Sequence, residues 1–235
     1  MSKNNTELLD CIELDAERAD AAVIWLHGLG ADGNDFVPIV PELGLPPDMH
    51  LRFVFPHAPV RPVTLNGGMA MRAWFDIKSL DRDGAPDEEG IRASQAQVEA
   101  LIQQELDRGI ASQRILIAGF SQGGAIALQT ALRCSKPLGG VIALSTWLPL
   151  RESLEAERQA VNEDIPVFMA HGDFDPMVPF AGGDISQKFL KEAGYSVQWH
   201  RYPMQHQVCL EEIRDIGAFI ERCLLPDSGS DAGED

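Results

Sequence analysis

Ile115-Leu116-Ile117-Ala118-Gly119-Phe120-Ser121-Gln122-Gly123-Gly124-Ala125-Ile126-Ala127-Leu128-Gln129 places a strand, a tight turn and a helix in immediate succession. The first four residues form a short apolar, largely β-branched run of the kind that fills a buried strand, and the last five open a helical run that continues to Leu132. Between them stands G-x-S-x-G, from Gly119 to Gly123. A sharp strand-to-helix turn presses the backbones on either side together, so the positions two before and two after the serine must be small. The serine is left in a strained conformation at the helix N-terminus. The five-residue pattern alone is common; its setting between strand and helix makes it specific.

Outward from this stretch, short apolar runs are expected as strands over 21–26, 51–55, 115–118, 141–144, 165–169 and 197–202. Helical spacing marks 90–106, 125–132 and 208–224. The βαβα alternation predicts an α/β fold, a mainly parallel sheet with helices on both faces, whose ligand site lies beyond the C-terminal ends of the strands. Residues 1–225 are expected to form one domain without a large lid. Residues 61–89 hold Arg61-Pro62, Gly67-Gly68 and Gly84-Ala85-Pro86 and are expected to make a surface excursion near the substrate groove. Residues 226–235 carry four acids and no base, and are expected to be a disordered acidic tail.

The chain has 235 residues, 45% hydrophobic and 23% charged, enough to bury a self-sufficient core. Its 36 acids against 19 Lys and Arg leave a net charge of −17, which repels polyphosphate and argues against nucleic acid or an anionic membrane as partner. No apolar run approaches the roughly 20 residues that span a bilayer, and the polar start offers no basic or apolar region to read as a signal peptide, so a cytoplasmic protein is expected. Position 2 is Ser and the nearest cysteine is Cys11, so no N-terminal lipidation signal supports stable membrane association. Cys11, Cys134, Cys209 and Cys223 lack C-x-x-C spacing and are expected to be reduced thiols; no metal and no cofactor is implied.

A serine hydroxyl needs a general base, and the base needs an acid that fixes its tautomer. After the strand expected at 165–169, His171-Gly172-Asp173-Phe174-Asp175-Pro176-Met177-Val178-Pro179 offers two carboxylates, which spacing alone does not separate. Tyr202-Pro203-Met204-Gln205-His206 follows the last strand and offers the base. The order Ser…Asp…His is that of α/β-hydrolases. His27, His57 and His171 are expected to brace loops. The oxyanion of an acyl-transfer intermediate would take one N–H from Gln122, at the helix N-terminus. A second would come from Leu29 in His27-Gly28-Leu29-Gly30-Ala31-Asp32-Gly33. That glycine loop lacks the Lys-Ser/Thr pair of a phosphate-binding loop.

Six ordered blocks, His27-Gly28-Leu29-Gly30, Pro56 to Asn66, Trp74-Phe75-Asp76, Gly119 to Gly124, Trp147-Leu148-Pro149 and His171 to Pro179, resemble the carboxylesterase/acyl-protein thioesterase family over about 21–225, its bacterial carboxylesterase branch most. The resemblance implies a compact α/β-hydrolase acting on carboxylic esters and, in some members, on lysophospholipids or S-acylated proteins. It also implies Ser121, Asp175 and His206 as the triad, Leu29 and Gln122 as oxyanion donors, a small-molecule ester or acyl thioester as substrate, and a homodimer as one assembly. Asp173 is then a supporting group. Leu29, Trp74 and Trp147 are candidates for the wall of the acyl groove, with the apolar core as the other place for each. Gln205 and Gln207 depart from the small or hydroxylated residues that usually flank this histidine. Because the base must be neutral, activity is expected to rise with pH through about 6 to 7. A non-catalytic ligand-binding protein on the same fold is the alternative from another class.

Overall fold

The computed structural model describes residues 8–15, 18–78 and 86–224. The chain runs through β1 (Cys11–Leu14), β2 (Ala21–Leu26), β3 (Leu51–Pro56), β4 (Val60–Val63), β5 (Met69–Arg72), α1 (Glu88–Asp107), β6 (Ile115–Phe120) and α2 (Gln122–Arg133). It continues through β7 (Gly140–Leu144), α3 (Leu154–Glu157), β8 (Val167–Gly172), α4 (Phe180–Glu192), β9 (Val197–Tyr202) and α5 (Leu210–Leu224). Seven strands form one sheet in the order β1-β3-β2-β6-β7-β8-β9. Every pairing in it is parallel except β1 with β3. This is the α/β-hydrolase type of sheet expected from the sequence.

The two-residue period of β2 explains how the sheet is covered. Ala22, Ile24 and Leu26 point into a core shared with α1 and α2, while Ala21, Val23 and Trp25 point into a second core closed by α5 and a short 3₁₀ segment, Val37–Leu43. Both faces are buried, so these strands read as continuous apolar runs. Every residue of α2 is buried, which puts it at the centre of the molecule. α1 is capped by Asp87, whose side chain accepts the Gly90 N–H at 3.3 Å, and Ile91, Val98, Leu101 and Ile102 make its buried face.

Several features differ from the sequence reading. The strand expected at 165–169 begins later, because Pro166 has no N–H for a central ladder; it contributes only its carbonyl, to Val141 N, and pairing starts at Val167. β8 extends to Gly172, where it still pairs with β9, and His171 lies in the strand instead of the loop after it. The excursion at 61–89 overlaps the antiparallel hairpin β4–β5, which opens at Val60; residues 79–85 of it lie outside the described residues, as does the tail at 226–235. Helix α4 had no apolar period to announce it, since its buried face is Gly183, Ser186, Gln187 and Leu190. Among the described residues no helix is long and apolar enough to cross a membrane.

Glu212, in the first turn of α5, has no exposed surface, and neither carboxyl oxygen has a hydrogen-bond partner among the described residues. Burial, with a smaller push from Asp215, raises this carboxyl from 4.5 to about 8. Between those values the unfolded chain releases the proton while the native state keeps it, so native stability falls as the pH rises through the window. Glu212→Gln cannot ionise. Urea unfolding at pH 5 and pH 8 is expected to show the variant gaining on the wild type by up to about 1.4 kcal/mol per pH unit across the window. An equal difference at both pH values would refute a buried neutral carboxyl.

Candidate active site

β6 ends at Phe120 and α2 begins at Gln122, leaving Ser121 alone at the turn with φ 54° and ψ −121°. A positive φ in a residue with a side chain costs energy and persists only where neighbours enforce it. Here the Ser121 N–H donates to the Leu144 carbonyl at 2.8 Å, and the Ser121 carbonyl accepts from Thr146 Oγ1 at 2.6 Å and Ala125 N at 3.1 Å. The flanking glycines are required sterically. A Cβ on Gly123 would strike the carbonyl oxygens of Leu26 and His27, and one on Gly119 would strike the backbone of Gly123.

Three loops at the C-terminal ends of β2, β8 and β9 meet this serine. His206 follows β9, and its Nε2 lies 3.0 Å from Ser121 Oγ. Its Nδ1 lies 2.7 Å from Asp175 Oδ2, and since a carboxylate only accepts, Nδ1 carries the proton and Nε2 is left to accept from the serine hydroxyl. The ring packs on Phe120 with centroids 4.6 Å apart. Asp175 is held from the other side, its Oδ1 accepting the N–H groups of Met177 at 2.8 Å and Val178 at 2.9 Å. Its side chain has no exposed surface. The second carboxylate of the loop goes elsewhere: Asp173 accepts from Arg201 Nε at 2.8 Å, away from the imidazole. Gln205 and Gln207, beside the histidine, are exposed.

The glycine loop after β2 also lies against the serine, a Cβ on Gly28 being 3.6 Å from Ser121 Cβ. The Gly30 N–H is taken by the Arg72 carbonyl at 2.9 Å and the Ala31 N–H by the Gly28 carbonyl at 3.3 Å. Among the described residues no backbone acceptor takes the Leu29 N–H. Gln122 opens α2, where an N–H has no intrahelical acceptor and the helix dipole favours negative charge.

His27 braces this loop as the neutral Nδ1–H tautomer, since its Nε2 accepts the Ala58 N–H at 3.0 Å and its Nδ1 donates to the Gly28 carbonyl at 2.7 Å. Burial lowers its pKa and keeps it in that form. His57 braces a neighbouring turn by accepting the Gly33 N–H at 3.0 Å.

Trp74 has no exposed surface, so it is core and not groove wall, correcting one of the two places the sequence left open for it. Its role is support: the indole N–H donates to the His27 carbonyl at 2.9 Å, just below the glycine loop. Trp147 is partly exposed and meets Phe75 edge to face at 6.2 Å. Leu29 is also partly exposed. Sequence reasoning valued Gln122 only for its N–H, but its side chain accepts Trp74 N and donates to the Phe75 carbonyl, both at 2.7 Å. That amide ties the Trp74-Phe75 segment to the serine turn; no local spacing announces a partner 48 residues away.

The arrangement can polarise a hydroxyl, accept its proton and receive an oxyanion, the three operations of acyl transfer. Comparison with known proteins points the same way. The profile of the Phospholipase/Carboxylesterase family matches residues 9–224. Acyl-protein thioesterase 1 of Mycosarcoma maydis is 43% identical over 219 residues, 87% of this chain and 91% of that protein. Among solved structures, Arabidopsis thaliana SOBER1 aligns with a TM-score of 0.82 at 34% identity, covering 87% of this chain and 99% of that one. Zea mays acyl-protein thioesterase 2 aligns with a TM-score of 0.81 at 30% identity, covering 92% and 99%. Matched along nearly all of its described length, the chain belongs to the phospholipase/carboxylesterase family of α/β-hydrolases and is a serine hydrolase of carboxylic esters or thioesters.

Proposed function

We propose that the protein hydrolyses acyl esters through a covalent acyl-enzyme on Ser121, with His206 as general base and acid and Asp175 as the carboxylate that orients it. The observation that carries this reading is the unbroken relay from Asp175 Oδ2 to His206 Nδ1 at 2.7 Å and from His206 Nε2 to Ser121 Oγ at 3.0 Å. A ligand-binding protein would have no use for a hydroxyl held against a base that is itself oriented by a buried carboxylate.

In the first half-reaction Ser121 Oγ bonds to the acyl carbon as its proton passes to His206 Nε2. The carbonyl oxygen becomes an oxyanion facing the N–H groups of Leu29 and Gln122, each worth about 3 kcal/mol in such a role. The intermediate collapses, the bond to the alcohol or thiol breaks, and the leaving group takes the proton from Nε2. Water then repeats the sequence on the acyl-enzyme, giving its proton to His206 and releasing the acid with Ser121 restored.

The acyl part would be apolar. The hairpin beside the glycine loop exposes Val60, Leu65 and Met69, and the acid loop exposes Phe174 and Met177. The relatives named acyl-protein thioesterases favour a second reading on the same triad, the release of acyl groups from protein thiols.

A fluorophosphonate probe followed by peptide mass analysis is expected to put one adduct on Ser121. Unlabelled protein, or an adduct elsewhere, would end the acyl-enzyme reading. Hydrolysis rates for short esters, long-chain esters and a palmitoylated peptide decide between the readings: a kcat/KM for the thioester at least about tenfold above that for the matched ester selects the thioesterase.

A further inference from the structure

His171 lies near the end of β8 with no exposed surface, four residues before Asp175. Its Nε2 is 2.9 Å from the Val178 carbonyl oxygen, and because a carbonyl only accepts, Nε2 carries the hydrogen. The same nitrogen stands 3.5 Å from Asp175 Oδ2, the oxygen that accepts the His206 proton. One N–H therefore bonds the far end of the acid turn and also faces the carboxylate within it.

The other ring nitrogen, Nδ1, is buried with no partner among the described residues. Gly183 of α4 packs against it so closely that a Cβ there would lie 2.5 Å away. Phe180 and Trp199 flank the ring at centroid distances of 5.8 Å and 6.3 Å. The charged or titratable groups around it are Asp175 on its own loop and His206 on the loop after β9. Arg201 of β9 sits over Phe180 at 4.6 Å and is paired with Asp173, while α4 presents the uncharged Gly183. A proton on Nδ1 would find no acceptor, so the ring stays neutral; burial lowers its pKa in the same sense.

The acid turn needs such a tie. Its near end is fastened by Asp173 N to the Tyr202 carbonyl and Phe174 N to the Met204 carbonyl, yet the turn carries Phe174 and Met177 at 67% and 62% exposure. The carboxylate is bonded to the N–H groups of Met177 and Val178, so it goes wherever that end of the turn goes. The Val178 carbonyl, gripped by His171, fastens that end to the sheet.

We propose that His171 is a positioning residue for the catalytic acid: its Nε2–H holds the 175–178 turn so that Asp175 faces His206 Nδ1. The inference rests on the triad of the proposed function and adds a second histidine, behind the acid, that touches no substrate.

The test uses the full chain, a p-nitrophenyl butyrate assay and three variants. His171→Leu keeps the bulk and removes the donor. His171→Gln puts an amide N–H near the place of Nε2. Gly183→Ala keeps His171 but presses a methyl on its ring. The expected result for His171→Leu is a kcat at least about 30-fold lower with KM within about twofold, and an acid limb of the kcat/KM profile moved to lower pH, because His206 loses a fixed anionic partner. His171→Gln is expected to recover most of the rate and the original profile.

A His171→Leu enzyme that loses thermal stability but keeps kcat and its pH profile would show a merely structural residue and overturn the proposal. So would His171→Gln as impaired as the leucine variant. If the leucine variant does not fold, Gly183→Ala decides: a lower kcat with a displaced acid limb supports the proposal, and an unchanged profile overturns it. Failure of the triad reading is distinguishable, since the wild type itself would then be inactive and unlabelled by the fluorophosphonate.

Discussion

Ser121→Ala is expected to lower kcat toward a p-nitrophenyl ester by roughly 10⁶ while leaving thermal stability nearly unchanged. The change removes the only atom that bonds to the acyl carbon, and the imidazole that remains has no hydroxyl to activate. The backbone at this position keeps φ 54° through hydrogen bonds to Leu144, Thr146 and Ala125 that involve main-chain atoms of residue 121 only. Alanine can therefore occupy the same strained turn, and the loss would be chemical instead of structural. Some rate over water would survive through binding and the oxyanion donors. Steady-state kinetics with a melting curve check both halves, and a drop of less than about tenfold would exclude Ser121 as nucleophile.

Asp175→Asn is expected to cost roughly 10⁴ in kcat with little change in KM or fold. Asn can keep one oxygen on the Met177 and Val178 N–H groups, so the turn survives, but it then presents an NH₂ group to His206 Nδ1 where Oδ2 now accepts. The imidazole must respond by moving its proton to Nε2, which then points a donor at Ser121 Oγ and can no longer act as base. Asp173→Asn is the control two residues away. Its oxygen serves Arg201, and its loss is expected to cost no more than about fivefold. Equal effects of the two substitutions would contradict the assignment of the acid.

How much was legible follows the range of each interaction. G-x-S-x-G could be recognised because the collision that demands Gly119 is with the backbone of Gly123 and Gly124 within the same turn, while the one that demands Gly123 is with the end of β2, which the parallel sheet always sets beside β6. Periodicity found β2, β3, β6 and β7 because apolar strands buried on both faces read as continuous runs, α1 and α5 because a one-sided apolar face repeats at helical spacing, and α2 and the half-buried β9 from their apolar residues. It missed β1, a four-residue edge strand whose residues are mostly half-buried, and α4, whose buried side is small and polar. Trp74 looked equally suited to groove or core, since an indole is apolar in both, and only its complete burial in the folded chain distinguishes them.

The sequence by itself determined the layered α/β order, the serine turn and the candidates for base and acid, because these depend on local sterics, local hydrogen bonding and chain order. Spacing left Asp173 and Asp175 open, the family resemblance favoured Asp175, and the folded chain puts Asp175 on the imidazole; tertiary structure alone decided what the Gln122 amide ties together and why a buried neutral histidine stands behind the acid. Those outcomes depend on directions and distances between β8, β9 and α4, set by how sheet and helices pack, and spacing along the chain does not encode them.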